Sequence, residues 1–375
     1  MPNGPALASI TLREDGGGIA AVSRLVQQVL RDEWGADSLN IELLDGTDPS
    51  SVVQLSTAER ARFCGRTAAA QIFGRCSSLL FCHVSLVKAQ ALVPRWCRRP
   101  YAVFLYGIEA WKPLPRLERR MLAQADLRIA ISRFTAQRVS DNNPGLGPIA
   151  ECALALPCAS HHATMLSPHD RRGTPALPVV ITVGRMSTLE RYKGHDQLLD
   201  VWPAVLQSVP DARLVFAGDG DDRPRLQSKA AAKGLQGHVQ FTGFVQQDAL
   251  RQLYRNAAVF AMPSRGEGFG LVYLEAMAHG LPCIGSVHDA AGEVIQDGVT
   301  GFLVDQQEGS TLVASIVRLL TDDRMRLQFG AEGYRRLQQQ FTYDSFKRRL
   351  LPLLETSLRA RATGSGVVSA DERVA

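Results

Sequence analysis

Short apolar runs alternate along this chain with stretches whose apolar residues recur every three or four positions, the periods of strands and of amphipathic helices. In the second half, strand-like runs fall at residues 179–183, 213–217, 239–242, 259–262 and 283–285, separated by helical stretches near 195–208, 223–233, 247–256 and 270–279. This predicts consecutive βαβ units, and therefore a doubly wound parallel α/β sheet. The first half repeats the pattern less regularly, with candidate strands at 9–12, 39–43, 79–82, 102–105, 128–131 and 150–155. Between the halves, residues 161–178 lack an apolar period and read as a linker. Two helical stretches follow residue 309, a further one spans 343–361 with Pro352 predicting a kink, and the last residues carry no apolar pattern.

Composition narrows the class. The chain has 375 residues, 45% of them hydrophobic and 21% charged, enough to build more than one core and unlike a disordered or fibrous chain. No apolar run is long enough to span a bilayer, and residues 1–10 lack the basic flank and apolar core of a secretory signal. The expectation is a cytoplasmic protein. Seven cysteines form no Cys-x-x-Cys pair and no zinc-like cluster, which fits reduced thiols.

The net charge of +5 lies in the first half, where residues 1–172 hold 20 Lys and Arg against 15 Asp and Glu. Arg95, Arg98 and Arg99 surround Trp96, and Arg116, Arg119 and Arg120 follow Trp111. This mixture suits an anionic membrane surface and equally suits a solvated basic face. No nucleic-acid-binding motif accompanies it.

Three glycine-bearing stretches carry the candidate chemistry. The first runs Arg265-Gly-Glu267-Gly268-Phe269-Gly270-Leu-Val-Tyr-Leu-Glu275 and ends at Gly280-Leu-Pro282, after a strand and into a helix. Gly268 and Gly270 allow close backbone approach, and the helix start offers unpaired N–H groups. Glu267 and Glu275, eight residues apart, place one carboxylate at the loop and another further along the same side. Each can accept hydrogen bonds from adjacent hydroxyls, or pair with basic neighbours as a helix N-terminal charge. The second stretch is Gly184-Arg185 to Lys193-Gly194-His195, and the third is Gly16-Gly17-Gly18 before a helix with apolar Val22, Leu25, Val26, Val29 and Leu30. The third is not the Gly-x-Gly-x-x-Gly of a dinucleotide site.

On these residues the chain resembles the retaining glycosyltransferases of family 4, whose Glu-x7-Glu stretch matches Glu267 to Glu275. The resemblance implies the GT-B fold: two Rossmann-like doubly wound domains facing across a cleft, here 1–165 on the acceptor side and 166–340 on the nucleotide-sugar side. A helix at 341–361 would cross back to the first domain, and 362–375 would form a disordered tail. It implies that Glu267 and the amides of Gly268, Phe269 and Gly270 contact the donor sugar, Glu275 the ribose, and Arg185 and Lys193 the diphosphate. Gly17 and Gly18 would face donor phosphates and acceptor. Two cations would make a divalent metal dispensable, and no Asp-x-Asp is read near the site, so neither metal nor cofactor is expected.

Phe104-Leu-Tyr106-Gly-Ile-Glu109-Ala-Trp111 resembles a His-Gly-Ile-Glu-x-Trp element, with Tyr106 standing where those members have histidine, although tyrosine is a poor general base at neutral pH. His83 ends a strand, either as a cleft ligand or as a merely hydrogen-bonded histidine. Asp289 to Asp305 matches the family's following segment, with Glu293 capping or bracing a loop. The implied reaction moves a hexosyl group from GDP-mannose or a UDP-hexose to a saccharide or polyprenyl-linked acceptor in cell-surface polysaccharide assembly, with the protein peripheral on the inner membrane face. Rival readings are a GT-B sugar-nucleotide epimerase and a catalytically impaired partner subunit, the latter suggested only by Tyr106.

Overall fold

A computed structural model describes residues 4–13, 16–35, 38–44, 56–156 and 178–359. The chain divides into two compact units. The first draws on Met1–Ile131, Ala136–Cys152 and Lys347–Ala375, and the second on Ser132–Thr135 and Ala153–Phe346. The expected linker, the 165/166 boundary and the 362–375 tail lie outside the described residues.

The first unit holds a six-stranded, all-parallel sheet built from β1 (Ala6–Ser9), β2 (Asn40–Glu42), β3 (Leu79–Phe81), β4 (Tyr101–Leu105), β5 (Leu127–Ala130) and β6 (Ala150–Glu151), in the order β2-β1-β3-β4-β5-β6. Its central strands are buried along their whole length, Tyr101–Leu105 among them, as parallel strands covered on both faces must be. The helix Gly17–Trp34 buries Val22, Leu25, Val26, Val29 and Leu30, the stripe expected from their spacing. Two predictions need correcting here. β1 lies three residues before the expected 9–12, because the small run Ala6-Leu7-Ala8 is fully buried without alternation. β6 stops after Glu151, well short of residue 155.

The second unit holds β7 (Val179–Val183), β8 (Arg213–Ala217), β9 (Val239–Gly243), β10 (Val259–Ala261), β11 (Cys283–Ser286) and β12 (Gly301–Val304), all parallel in the order β12-β11-β10-β7-β8-β9. β12 was not expected. Its first residue is a glycine because a Cβ there would stand 1.8 Å from the Cys283 carbonyl oxygen. Helix His195–Ser208 buries Leu198, Leu199, Trp202 and Val205 on one stripe against this sheet. The chain order reverses between β7 and β10, so the loops leaving these two neighbouring strands flank the topological switch point where α/β sheets bind ligands.

In the helix Tyr343–Leu354, Pro352 removes an N–H donor, and from Glu355 to Arg359 the hydrogen bonding is of π type. Among the described residues no helix is long and apolar enough to cross a membrane, and Cys64, Cys76, Cys82, Cys97, Cys152 and Cys283 are free thiols.

Gly330, in the helix Asp323–Gln340, lets that helix meet the end of Leu271–Ala278, since a Cβ would lie 2.1 Å from the Gly280 carbonyl oxygen. Gly330→Ala should cost about 1–3 kcal/mol through overpacking, measured as a lower urea midpoint at unchanged m-value.

Candidate functional site

The loop leaving β7 carries Gly184 and Arg185 and then turns through a 3-10 helix, Thr188–Lys193, which ends at Gly194. Gly194 has φ 88°, and a Cβ on it would lie 2.5 Å from the Pro263 carbonyl oxygen. Only glycine seats the loop this closely against the exit of β10. Alongside, the Arg265 amide donates to the Tyr192 carbonyl at 2.9 Å, and Gly266 sits against the Tyr192 ring. The two motif-bearing loops are thus joined through Tyr192 and Gly194.

This junction brings Arg185, Lys193 and Glu267 into one neighbourhood. Lys193 lies near enough to Glu267 to favour its ionised form, as do the amides of Phe269 and Gly268, yet burial outweighs them and raises the carboxyl above its ordinary range. The Gly268 and Phe269 amides therefore face the Glu267 carboxylate itself. Gly270 has φ 91° and leaves no room for a Cβ beside the Tyr273 ring, which opens the helix Leu271–Ala278 without a side-chain cap. The Phe269 ring is buried, edge-on to Phe341 at 5.9 Å, and anchors the loop.

Glu275 lies within that same helix, Leu271–Ala278, accepts a hydrogen bond from the Tyr254 hydroxyl at 2.9 Å, and is pushed up to about 6 by burial against the opposing effect of that bond. Tyr254 in turn stacks on His279 at 5.0 Å, with His279 Nδ1 at 2.8 Å from the Glu275 carbonyl oxygen.

Sequence reasoning missed two acidic residues here. Glu190 pairs with Arg185 through both its oxygens and with Lys193 Nζ at 2.9 Å, so one carboxylate holds both candidate cations. Burial would raise Glu190, but the bonds from Arg185 and Lys193 prevail and hold it below its usual range. Its placement depends on a kink at Glu190 itself (φ −120°), which no spacing rule predicts. Asp289 was read only as part of a supporting segment. It accepts the Glu267 amide at 3.1 Å and the Ala291 amide at 3.0 Å, and burial pushes it up to about 7. Glu293 does cap, accepting the Arg133 and Phe134 amides at 2.9 and 2.7 Å, while Ser132 Oγ donates to the Gly268 carbonyl at 2.7 Å. These contacts lie within the second unit, to which Ser132–Thr135 belong. His195 is a core residue, against Phe216 at 5.2 Å and lowered to about 4 chiefly by burial.

An Asp-x-Asp spacing does exist, at Asp219-Gly-Asp221, contrary to expectation. Asp219 accepts the Gly220 amide at 2.9 Å and Asp221 the Thr188 hydroxyl at 2.6 Å. Among the described residues, no group of three or more His, Cys, Asp or Glu side chains is arranged to hold a metal ion.

The remaining candidates belong to the first unit. Gly17 has φ 72°, and a Cβ on Gly17 or Gly18 would meet nothing within 4 Å, whereas Gly16 is closely packed against Ala20 and Thr11. His83 caps the turn Val84–Leu92, its Nδ1 accepting the Ser85 amide at 3.1 Å, and burial lowers its pKa. Glu109 accepts the Tyr106 and Gly107 amides at 2.6 and 3.1 Å. The Tyr106 hydroxyl is buried toward Ser23 and the Cys82 thiol, and burial raises its pKa well above its ordinary value.

The family described as glycosyl transferases group 1 matches residues 173–336. The chain is 30% identical over 267 residues, 67% of its own length and 68% of the relative's, to the GDP-mannose-dependent alpha-(1-6)-phosphatidylinositol monomannoside mannosyltransferase of Mycolicibacterium smegmatis. It is 34% identical over 189 residues to the phosphatidyl-myo-inositol mannosyltransferase of Mycobacterium leprae, a match covering 49% of each chain. Among solved structures, sucrose-phosphate synthase from Thermosynechococcus elongatus aligns with TM-score 0.77 at 19% identity, covering 96% of this chain and 100% of that one. HepE from Anabaena, in complex with UDP and glucose, aligns with TM-score 0.71 at 18% identity, covering 94% and 100%. The fold is the two-domain α/β fold known as GT-B. The chain belongs to the group 1 glycosyl transferases.

Asp289→Ala would leave the Glu267 and Ala291 amides without an acceptor. The expected loss is on the order of 2–4 kcal/mol in urea unfolding, with Asp289→Asn retaining part of it.

Proposed function

We propose that this protein is a retaining hexosyltransferase of family 4, transferring a hexose from a nucleotide diphosphate sugar to a saccharide or polyprenyl-linked acceptor on the cytoplasmic face of the membrane during cell-surface polysaccharide assembly. The observation that carries the reading is the meeting of Arg185, Lys193 and Glu267 at the switch point of the second sheet. Cations and a hydroxyl acceptor side by side suit a ligand with a diphosphate at one end and a sugar at the other. GDP-mannose is the first donor to test, since the Mycolicibacterium smegmatis relative is named for it. UDP-glucose is the second, since HepE was solved with UDP and glucose.

In this reading Arg185 and Lys193 receive the charge that develops on the diphosphate as the sugar–oxygen bond breaks. Lys193 is the better placed, because its ammonium is largely shielded from solvent while the Arg185 side chain is 68% exposed. Glu267 accepts hydroxyls of the transferred sugar, and Gly268, Phe269 and Gly270 shape the backbone around it. Glu275 accepts the ribose hydroxyls. Gly17 and Gly18 are assigned to phosphates and acceptor, and His83 and Glu109 to shaping the loops beside them. We assign no covalent nucleophile, no resident metal and no proton transfer to Tyr106. The departing phosphate oxygen takes the acceptor proton on the face the leaving group vacates, and the anomeric configuration is kept.

Glu267→Gln and Lys193→Ala should each lower transfer on the order of a hundredfold. Near-normal turnover in either variant would remove its assigned role, and an inverted anomeric proton coupling in the product would remove retention. Donor affinity should fall as pH drops through about 6, where Glu275 becomes protonated and loses acceptor capacity. Tyr254→Phe removes the bond that favours the carboxylate and should move that midpoint upward in a calorimetric titration.

A further inference from the structure

Between Glu59 and Glu109 the chain contains eight Lys and Arg residues and no Asp or Glu. The same stretch carries Ile72, Phe73, Leu92 and Trp96, which are 47%, 73%, 66% and 87% exposed. Few large apolar side chains of a folded protein stand this far into water without a partner.

The fold gathers the ends of two segments. Helix Thr57–Ile72, started by the Ser56–Glu59 capping box, terminates at Phe73 and Gly74. The segment around the short turn Arg95–Cys97 meets it there, because the Arg99 amide donates to Gln71 Oε1 at 3.1 Å and the Arg99 guanidinium lies against Gly74. Arg98 is pinned by the Val93 carbonyl at 2.9 Å and Gln124 Oε1 at 2.9 Å. Arg75, Arg95 and Arg99 are exposed. Asp126, which accepts the Tyr101 amide at 3.0 Å, is an acidic residue in the same neighbourhood as Arg98. The second basic cluster differs from expectation. Trp111 is packed against the first unit's core, and Glu118, within the Arg116–Ala123 helix, pairs with Lys88 at 2.9 Å, so that cluster presents no exposed tryptophan.

We infer that Phe73 and Trp96, with Arg75, Arg95, Arg98 and Arg99 on the same two segments, form the surface by which the first unit docks on an anionic lipid bilayer. The chemistry on both sides matches. Aromatic side chains enter the interface between headgroups and acyl chains, and arginines beside them meet the negative surface potential of the leaflet. Charge also selects against a second copy of the chain as the occupant, since two such faces would bring arginine against arginine. Both segments lead into strands, β3 at Leu79 and β4 at Tyr101, so the docking face lies at the N-terminal edge of the sheet. The opposite edge, from which the Gly17–Gly18 loop and Tyr106 depart, is left free. This inference rests on the membrane-side reading given above, but not on the chemistry assigned to Glu267 or Lys193.

The test is co-sedimentation of the full chain with phosphatidylcholine vesicles, with and without phosphatidylglycerol, needing neither donor nor acceptor. Binding is expected only with phosphatidylglycerol and should weaken as salt rises. Each arginine near the surface contributes about fivefold, so Arg75→Gln with Arg95→Gln should weaken binding about twenty-five-fold. Phe73→Ala with Trp96→Ala should reduce the binding that survives high salt. All four positions are exposed, and an unchanged melting temperature confirms that the variants fold. Equal binding to neutral vesicles, no binding at all, or variants that bind as the parent does would overturn the proposal. So would a concentration-dependent dimer that Trp96→Ala dissociates. None of these outcomes bears on transfer in a soluble-acceptor assay, and loss of transfer in Glu267→Gln does not bear on vesicle binding.

Discussion

The hydrogen bond from the Arg265 amide to the Tyr192 carbonyl, with Gly194 seated against Pro263, is the constraint on which the arrangement of the second unit's candidate residues depends. Parallel strands in an open sheet send successive loops to one edge, but only at a switch point do loops from two neighbouring strands diverge and leave a place between them. Here the loops after β7 and β10 diverge and are then tied back together by main-chain contacts. Lys193 and Glu267 are consequently brought into one neighbourhood by main-chain contacts, and the Lys193 ammonium is held there by Glu190.

The charges at this place are balanced against burial. Glu267, Glu275 and Asp289 are all raised by loss of solvent, and each is offset by a particular donor: Lys193 and two amides, the Tyr254 hydroxyl, and the Glu267 and Ala291 amides. Glu190 performs the converse service for Arg185 and Lys193. An anion approaching either cation would meet Glu190 already paired with it.

Strands whose sequence is a continuous apolar run were legible, because two-sided burial leaves that imprint. Residues 179–183 and 213–217 are strands with the expected ends. β12 was not legible, since its opening glycine answers to a carbonyl of β11 and has no pattern of its own. In the site, residues fixed by a local turn could be read from the chain, among them the left-handed Gly270 and the Arg185–Lys193 pair. Glu190 and Asp289 could not, because their roles arise from a backbone kink and from a contact across 22 residues. Tyr106 shows a third kind of limit. Its position in the chain could be matched, but the direction of its hydroxyl is set by the packing of Ser23 and Cys82.

The allocation of Ser132–Thr135 to the second unit bears on how the protein can be dissected. These four residues lie in the sequence between stretches of the first unit, yet they satisfy the Gly268 carbonyl and the Glu293 carboxylate. An expression fragment beginning at β7 would therefore lack the Ser132 hydroxyl that donates to the Gly268 carbonyl and the Arg133 and Phe134 amides that donate to Glu293. The second unit is thus incomplete without a tetrapeptide that the sequence places among stretches of the first, and fragment complementation would have to supply it in trans.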